Sequence, residues 1–591
     1  MDETRTEKEN TFAANPFTKR DWLNVFVLIA IVAAIFSWRL ADRPLIGEET
    51  RYGTAAREMI ASGDWLVFRQ QDQIFAERPP VTVWTVAIAG LLRGEVDVFA
   101  VRITSVLATV MTCILLYFYV RSFATAFAAF AAGLIFATMG QVLQIGRLGE
   151  SEPFFALLLS ASFLTWHLGY LKRWPALLTW SIGFGLAAIA ALVKGPQAPV
   201  YFVAITGLYL LVQRDWRFLV SWQTVAGGVV FAAIIAAWQV PYFLVTDLDS
   251  VVATWTGLAK DRIRSDGLFA HMAKFPIETL ICLLPWSPLL LGLIHRQTRE
   301  RLSVYSPVVC FLVVALIATY PTVLFAVGAR GRYFLPLYPC FAALIALLVD
   351  QWSSAESKSI ARRNWSSYVL GIGTFICVGG LFFLAGGIGL IQNSILESLH
   401  QPPFFAVTFG LTCLVTSCIC FFDFRTEGTT YRTASVVSIG LVFGMIASGA
   451  LINANTKTWN DPTAQIQDLK SQFPIPEKMV SLGPIDHRFA FYYESPIEQL
   501  PWPTAQTPLP NNVEYFVFTR RPQDTPKERA AGRGRSWFVT PGTVPFEWEE
   551  LATINSNRVI REHPRCVIVL GRKIRPSRTA VDVTQPRPVI R

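Results

Sequence analysis

The chain has 591 residues, of which 52% are hydrophobic and only 16% are charged. It is too long for one ordinary domain, and its recurring apolar runs of membrane length exclude a simple soluble protein. A net charge of +10 would suggest an acidic partner for a soluble protein. Here the cations lie mostly in loops between apolar runs, so the sequence indicates a polytopic membrane protein with no nucleic acid partner.

Cysteine and histidine usage gives no sign of a disulfide framework or of metal-ligand spacing. Most of the nine cysteines lie inside apolar runs, Cys566 stands alone in the polar C-terminal part, and the six histidines are scattered. The first apolar run, from about Trp22 to Trp38, is longer than a signal-peptide core and lacks a convincing cleavage site. It is predicted to be a retained anchor.

Hydropathy predicts 13 membrane-spanning helices, because backbone polar groups in lipid must be satisfied within a helix. They are expected at residues 22–40, 98–120, 124–140, 152–171, 175–192, 197–213, 219–243, 277–296, 304–327, 333–350, 366–391, 404–423 and 433–453. With the N-terminus in the cytoplasm, every inner loop carries arginine or lysine, as the positive-inside rule requires. The sequence therefore predicts a multi-pass protein of the inner (plasma) membrane.

The same pattern divides the chain into four parts. Residues 1–21 form a cytoplasmic tail, and residues 22–453 form an all-α transmembrane domain with outer loops at 41–97 and 244–276. Residues 454–574 are predicted to form a small extracytoplasmic α/β domain, with strands near 479–482, 513–519 and 565–570 and a helix from His487 to Tyr493. Residues 575–591 form a basic tail that is predicted to be disordered.

The first outer loop begins with two acids, Glu48 and Glu49, followed by apolar residues at helical spacing. This pattern predicts a short amphipathic helix in the membrane interface, which places Glu48 where it could meet the head of a lipid-borne substrate. Glu49 has a simpler interpretation as an acid that complements the helix dipole. The loop closes with Glu77-Arg78-Pro79-Pro80, which is either a surface ion pair or part of a site.

Short outer loops carry basic residues, against the usual distribution, at Arg147, Lys194, Arg330 and Arg332. Several cations on one face predict an anion bound at the outer mouth of the bundle. Glu152 either caps its helix or takes part in the site, and Lys194 either caps a helix C-terminus or binds phosphate. The 244–276 loop, with Arg262, is a candidate lid.

Acids and cations on one membrane face suit a particular chemistry. Cations bind phosphate or pyrophosphate, and a carboxylate can act as general base for an attacking hydroxyl. No glycine-rich phosphate loop follows a predicted strand, so a nucleotide is not expected.

These motifs resemble those of the GT-C membrane glycosyltransferases, most closely the 4-amino-4-deoxy-L-arabinose lipid A transferases, with protein mannosyltransferases more distant. The family's Asp-Glu-x-Arg-Tyr signature corresponds to Glu48-Glu49-Thr50-Arg51-Tyr52, and its Arg-Glu-Met-x-x-x-Gly-Asp-Trp to Arg57 through Trp65. Its Glu-Lys-Pro-Pro, Lys-Gly-Pro and Arg-Tyr-x-Leu-Pro motifs correspond to residues 77–80, 194–196 and 332–336. By this resemblance, Glu48 and Glu152 are glutamates at positions where the family usually has aspartate, and Arg78 replaces a lysine.

The resemblance implies a sugar transferase, hexosyl or pentosyl, that uses a polyprenyl-phosphate donor and a lipid, glycan or protein acceptor, and the protein is expected to be a monomer. Glu48 and Glu152 would be the catalytic acids, and Glu77 would help to hold a divalent metal ion. Arg78 and Lys194 would bind the donor phosphate, with Arg147, Arg330, Arg332 and Tyr333 as further candidates. Glu49, Arg51, Tyr52 and Arg262 are supporting residues.

Two alternatives stay open at this point. One is a transporter or flippase of an anionic lipid, which would place its charges near the bilayer midplane and often has repeated halves. The other is a non-catalytic lipid-binding subunit. The charges here lie at the outer rim and no repeat is evident, which favours the transferase.

Overall fold

A computed structural model of the chain describes residues 17–76, 78–260, 267–355, 359–390, 403–426, 429–447, 463–472, 479–495, 497–504, 508–510, 512–520, 544–555 and 567–574. Glu77, Arg262 and the basic tail from residue 575 therefore lie outside the described residues. The chain divides into two units, residues 1–68 with 74–455 and residues 69–73 with 456–591.

The first unit is built almost entirely from helices. In chain order, its α-helices are α1 Lys19–Ser37, α2 Glu49–Ser62, α3 Val81–Arg93, α4 Val98–Arg121, α5 Ala126–Thr138, α6 Gly140–Ile145, α7 Ser151–Leu171, α8 Ala176–Lys194, α9 Gln197–Val212, α10 Trp216–Leu219, α11 Trp222–Val245, α12 Leu248–Lys260, α13 Leu268–Cys282, α14 Arg296–Leu302, α15 Ser306–Leu324, α16 Tyr338–Ser353, α17 Ile360–Gly387, α18 Pro403–Arg425 and α19 Thr429–Met445. Short 3₁₀ helices lie at Ser287–Ile294, Ser303–Tyr305 and Gly331–Leu337.

Nine helices within the described residues are long and apolar enough to cross a membrane, or ten if the bent pair α13 and Ser287–Ile294 is one span. Every predicted span falls on an apolar helix or on this pair, but α5, α9 and α19 are shorter than a full span. The predicted count of 13 therefore stays a prediction. The span expected at residues 277–296 is not one straight helix, because the chain bends by 112° between α13 and the 3₁₀ helix Ser287–Ile294.

Helix α2 forms in the first outer loop as the periodicity predicts. It is followed by two short strands that were not predicted, β1 Arg69–Gln70 and β2 Gln73–Ile74, and by helix α3. Helix α2 ends at Gly63, whose φ of 72° is a left-handed conformation that glycine adopts without strain. Burial extends beyond the apolar stripe to Glu49, Thr50 and Thr54. Helix α2 therefore packs against the rest of the protein on more than its apolar stripe, unlike a helix that lies only on a lipid surface.

The 244–276 segment, predicted as a loop and candidate lid, is largely helical in its described part. It contains α12 and the start of α13, which begins after Gly267. His271 Nε2 lies 3.0 Å from the carbonyl oxygen of Val323, so this side chain contacts the bundle. The lid role of the segment remains a prediction.

The second unit contains helices α20 Thr463–Gln472 and α21 His487–Tyr493 and a five-stranded sheet. The strands are β3 Met479–Leu482, β4 Glu498–Leu500, β5 Tyr515–Arg520, β6 Trp548–Asn555 and β7 Val567–Lys573, in the order β4-β3-β5-β7-β6. Strand β3 is parallel to β4 and β5, with Val480 opposite Glu498 and Phe516, while β7 is antiparallel to β5 and β6. Parallel neighbours need a crossover, and α21 provides it between β3 and β4.

Candidate active site

Glu48 is the residue immediately before helix α2, at the end of the turn that leaves membrane helix α1. Its Oε2 lies 3.2 Å from Arg51 Nη1 and 3.9 Å from Arg78 Nη2. About a third of its side chain is exposed, compared with 7% and 8% for the two acids of helix α7 described below. Glu48 is therefore a carboxylate within reach of a ligand and held between two guanidinium groups.

Glu49, the next residue, is fully buried and has a different environment. Its two carboxylate oxygens accept hydrogen bonds from Arg102 Nε at 2.8 Å and Nη2 at 3.0 Å. The backbone N–H groups of Ile46 and Gly149 donate to the same carboxylate, each at 2.8 Å. Burial alone would raise the pKa of Glu49, but Arg102 and these N–H groups hold it below its usual value. Glu49 thus joins the first outer loop to helix α4 and to the turn before α7.

Two further acids, Glu150 and Glu152, lie at the start of helix α7 and are both buried. Glu152 Oε1 accepts a hydrogen bond of 3.0 Å from Lys194 Nζ at the end of helix α8, and Arg332 Nε lies 3.8 Å away. Arg332 Nη1 donates to Glu150 Oε2 at 2.7 Å. Three separate segments of the chain therefore meet in one network of two carboxylates and two cations.

The network around Glu152 is continuous with Glu48. Arg78, which pairs with Glu48, also interacts electrostatically with Glu152. Gly47 has a φ of 59°, and a Cβ atom there would lie only 3.6 Å from Glu150 Oε1, so the turn before Glu48 closely approaches Glu150. The structure thus brings together the motifs at residues 48–52, 78, 152, 194 and 332.

Aromatic rings line the same group of charges. Lys194 Nζ lies 5.6 Å from the ring centroid of Phe155 and 5.1 Å from that of Tyr333, and Arg332 lies 5.5 Å from the Tyr333 ring. Tyr52 is buried beside them, and burial raises its pKa to about 12, so its hydroxyl stays protonated at neutral pH. Aromatic faces stabilise cations by about 0.5–2 kcal/mol, with the larger value at dry sites.

Within the described part of the chain, the charges of the site are nearly balanced. The carboxylates of Glu48, Glu150 and Glu152 face four cations, which are Arg51, Arg78, Lys194 and Arg332. Burial, followed by the charge of Glu152, raises the pKa of Glu150 above its usual value although Arg332 opposes this. Protonation of Glu150 would remove one negative charge from this group, which suits a phosphate ligand.

Two other residues predicted to bind the donor phosphate, Arg147 and Arg330, form no side-chain contact with this network among the described residues. Arg147 Nη2 donates to the carbonyl oxygens of Trp38 at 2.7 Å and Arg39 at 3.0 Å instead of to the acids of α7. Arg330 has an exposed side chain next to the Gly331–Leu337 helix. Their predicted phosphate contacts therefore receive no support from this geometry.

The sequence interpretation missed two residues of the site. Glu150 stands two residues before Glu152 in the same short motif, and this second carboxylate is the signal that could have identified it. Arg102 lies inside a predicted apolar span, and a buried arginine there is a signal in itself, because such a charge is costly without a partner.

A divalent metal ion is implied by the resemblance, through Glu77, which is outside the described residues. Among the described residues, no group of three or more His, Cys, Asp or Glu side chains could hold a metal. Glu48, Glu150 and Glu152 each face a cationic side chain instead. The described donor set does not fit a metal site, and the Glu77 prediction remains untested.

Sequence comparisons connect the chain with enzymes that use lipid-linked sugars. Residues 77–240 match the profile of the dolichyl-phosphate-mannose-protein mannosyltransferase family. The undecaprenyl phosphate-alpha-4-amino-4-deoxy-L-arabinose arabinosyl transferase of Aeromonas salmonicida is 29% identical over 361 residues, 58% of this chain and 63% of that protein. The enzyme of the same name from Pseudomonas aeruginosa is 29% identical over 51% of this chain and 54% of its own length. The chain thus matches less than two thirds of the length of these relatives.

Structural comparison covers more of the chain. The crystal structure of ArnT from Cupriavidus metallidurans bound to undecaprenyl phosphate superposes with a TM-score of 0.68 over 94% of this chain and 98% of that chain, at 17% identity. The apo structure of the same protein gives a TM-score of 0.65. The resemblance inferred from the motifs is thereby confirmed: this multi-pass membrane protein has the GT-C fold and is related to the polyprenyl-phosphate-dependent aminoarabinose transferases.

Proposed function

We propose that the protein is an integral-membrane glycosyltransferase that takes a sugar from a polyprenyl-phosphate donor at the outer face of the inner membrane. One observation carries this proposal. The partly exposed carboxylate of Glu48 is part of a network of cations that extends to the start of α7 and the end of α8. The names of the sequence relatives favour a pentose as the sugar. The resemblance to lipid A transferases favours a lipid acceptor over a glycan or protein.

The proposed reaction is a single displacement at the anomeric carbon. An acceptor hydroxyl or phosphate attacks this carbon as Glu48 takes its proton, and the bond from the anomeric carbon to the phosphate oxygen breaks. The electron pair of that bond goes to the lipid phosphate, which leaves. One displacement inverts the configuration of the anomeric centre.

The cations have a defined task in this scheme. A phosphodiester donor carries one negative charge, and the departing monoester carries close to two near neutral pH. Arg78, Lys194 and Arg332 lie close to the acids on which the reaction depends and can stabilise the additional charge. Tyr333 packs against two of these cations and restricts their positions.

Glu152 acts in this proposal mainly through its partners. Its hydrogen bond to Lys194 is buried, and its distance of 3.8 Å to Arg332 places it between both cations. It therefore keeps two long side chains aimed at one point before the donor arrives, which lowers the entropic cost of binding. Arg51 and Tyr52 support Glu48 from the first turn of α2.

The membrane orientation belongs to the same proposal. We infer a cytoplasmic N-terminus, 13 spans and an extracytoplasmic sheet unit on the basis of the positive inner loops. A monomeric state is a further part of the proposal. No step is assigned to a metal ion.

The test is an analysis of sugar-carrying polyprenyl phosphates in membranes from cells that lack the protein or express one variant of it. Glu48→Gln should cause one such lipid to accumulate and abolish transfer. Glu95→Gln removes an exposed acid from the same outer loop without touching the site and is the matched control. Near-normal transfer by folded Glu48→Gln would contradict the role of Glu48. An unchanged lipid pool with an altered distribution across the bilayer would instead favour a flippase.

A further inference from the structure

A second charged region lies beside a cavity of about 410 Å³ that the proposed transfer site does not use. Three arginines, Arg43, Arg102 and Arg147, line it together with Gln144. Its volume falls in the range of about 300–1,000 Å³ that is typical of small-molecule sites, so it can hold far more than a single ion.

The remaining wall of the cavity is apolar. It includes Leu143 of α6, Leu284 at the bend after α13, and Phe443 near the end of α19. The cavity lies close to the end of α1, because Arg147 in its wall donates to the carbonyl oxygens of Trp38 and Arg39. The cavity is therefore lined by both cationic and apolar side chains, and an acidic amphiphile requires both.

The cations of this cavity differ in how far their charge is balanced. Arg102 directs its donors to Glu49 and to the carbonyl oxygens of Leu40, Arg43 and Pro44. Its charge is thus neutralised by the Glu49 carboxylate. Arg102 shapes the wall and adds little attraction for an anion.

Arg147 has a different set of partners. It is buried and donates to two backbone carbonyl oxygens, and within the described residues no carboxylate forms an ion pair with it. Burial, reinforced by the neighbouring charges of Arg102, Arg43 and Arg39, lowers its pKa to about 10. Its guanidinium group is still charged near neutral pH, and an anion in the cavity would compensate that charge.

We propose that this cavity binds the phosphate headgroup of an anionic lipid, with Arg147 and Arg43 on the phosphate and Leu143 and Phe443 beside the first carbons of the chains. The site is distinct from the Glu48 group, and two contacts link them: the Arg102–Glu49 ion pair, and the hydrogen bond of 2.7 Å from the Glu150 N–H to the carbonyl oxygen of Leu148 in the cavity wall. The proposal concerns binding and does not depend on sugar transfer.

The experiment measures thermal stabilisation of the purified full-length protein in a neutral detergent. The probes are dioctanoyl phosphatidic acid, phosphatidylcholine with the same chains, and inorganic phosphate. A ligand that binds only the folded protein raises its unfolding midpoint with concentration. Phosphatidic acid should raise the midpoint, whereas phosphatidylcholine, with its compensating choline cation, and inorganic phosphate should have little effect at the same concentration.

Three variants locate the effect. Arg147→Gln removes the charge of Arg147, and Ala447→Phe fills the cavity without removing any charge. The Ala447→Phe variant therefore still tests the proposal if Arg147→Gln fails to fold. Arg93→Gln removes an exposed cation that pairs with Asp97 outside the cavity and is the control. The concentration of phosphatidic acid for half the effect should rise at least tenfold in the first two variants and stay unchanged in the control.

Three results would overturn the proposal. Equal stabilisation by phosphatidylcholine would show that the chains, and not the charge, are bound. Equal stabilisation by inorganic phosphate would show a simple anion site with no lipid. An unchanged response in both Arg147→Gln and Ala447→Phe would place the lipid elsewhere.

Discussion

Replacement of Glu49 by glutamine should destabilise the protein strongly, while the same change at Glu48 should not. Glu49 accepts four hydrogen bonds, two from Arg102 and two from the backbone of Ile46 and Gly149. The glutamine amide can still accept at one oxygen, but its NH₂ group would face donors, and Arg102 would keep a buried, uncompensated charge. Breaking a buried ion pair in this way costs about 3–5 kcal/mol.

The adjacent residue provides the contrast. Glu48 is partly exposed, and its closest ion pair is 3.2 Å long. Pairs of this kind contribute about 0–1 kcal/mol, so Glu48→Gln should unfold close to the wild-type midpoint.

The assay is thermal unfolding in detergent, followed by intrinsic fluorescence, with transfer measured on the same preparations. Glu49→Gln should unfold at a clearly lower temperature and lose transfer in proportion to its folded fraction. Glu48→Gln should be stable but inactive. A stable Glu49→Gln protein, or a Glu48→Gln protein that is destabilised as much, would refute the division of roles between the two acids.

Three other changes test the network directly. Lys194→Met should lower transfer by about 10²-fold, because it removes a donor to the leaving phosphate and strands Glu152, and Lys194→Arg should restore part of it in a kinetic assay. The raised pKa of Glu150 means that the folded state binds its proton more tightly than the unfolded state, so stability should fall as pH rises above the usual glutamate value of about 4.3. Glu150→Gln should flatten this decline in unfolding midpoints measured across pH 4–9, and an unchanged profile would assign it to another group. Gly47→Ala should lower the free energy of unfolding by about 1 kcal/mol, because alanine is strained at a φ of 59°, and unfolding assays would report this loss.

Much of the helical architecture could be predicted from the sequence, because hydropathy reports a strong and local requirement. The predicted first and second spans agree with α1 and α4 to within a few residues, and the helix from His487 to Tyr493 is present with those bounds. The bend after α13 could not be judged from hydropathy, since the run around Leu284 is as apolar as a straight span. Strands β4 and β6 were missed, because short or exposed strands have little hydrophobic pattern.

The sequence could predict most of the residues that form the site, but not which of them contact one another. The order of the motifs along the chain predicts that Glu48, Arg78, Glu152 and Lys194 lie on one membrane face. In the structure, ion pairs and electrostatic interactions connect them. Sequence gave no basis for separating Arg147 from this group, because its partners are backbone carbonyl oxygens 108 and 109 residues away. Long-range contacts of this kind depend on how helices pack, which no local pattern encodes.

The contrast between Glu48 and Glu49 also explains why the site can be charged and still be stable. The buried Glu49–Arg102 pair fixes the turn that precedes α2, so the position of Glu48 does not depend on its own ion pairs. Glu48 can then exchange partners at little cost, and Arg78, at 3.9 Å, is held less closely than Arg51 at 3.2 Å. In the proposed reaction, a donor phosphate that engages Arg78 would draw this cation away from Glu48 and leave the carboxylate open to the acceptor. A rigid acid next to an adaptable one is therefore what this chemistry requires at the start of α2.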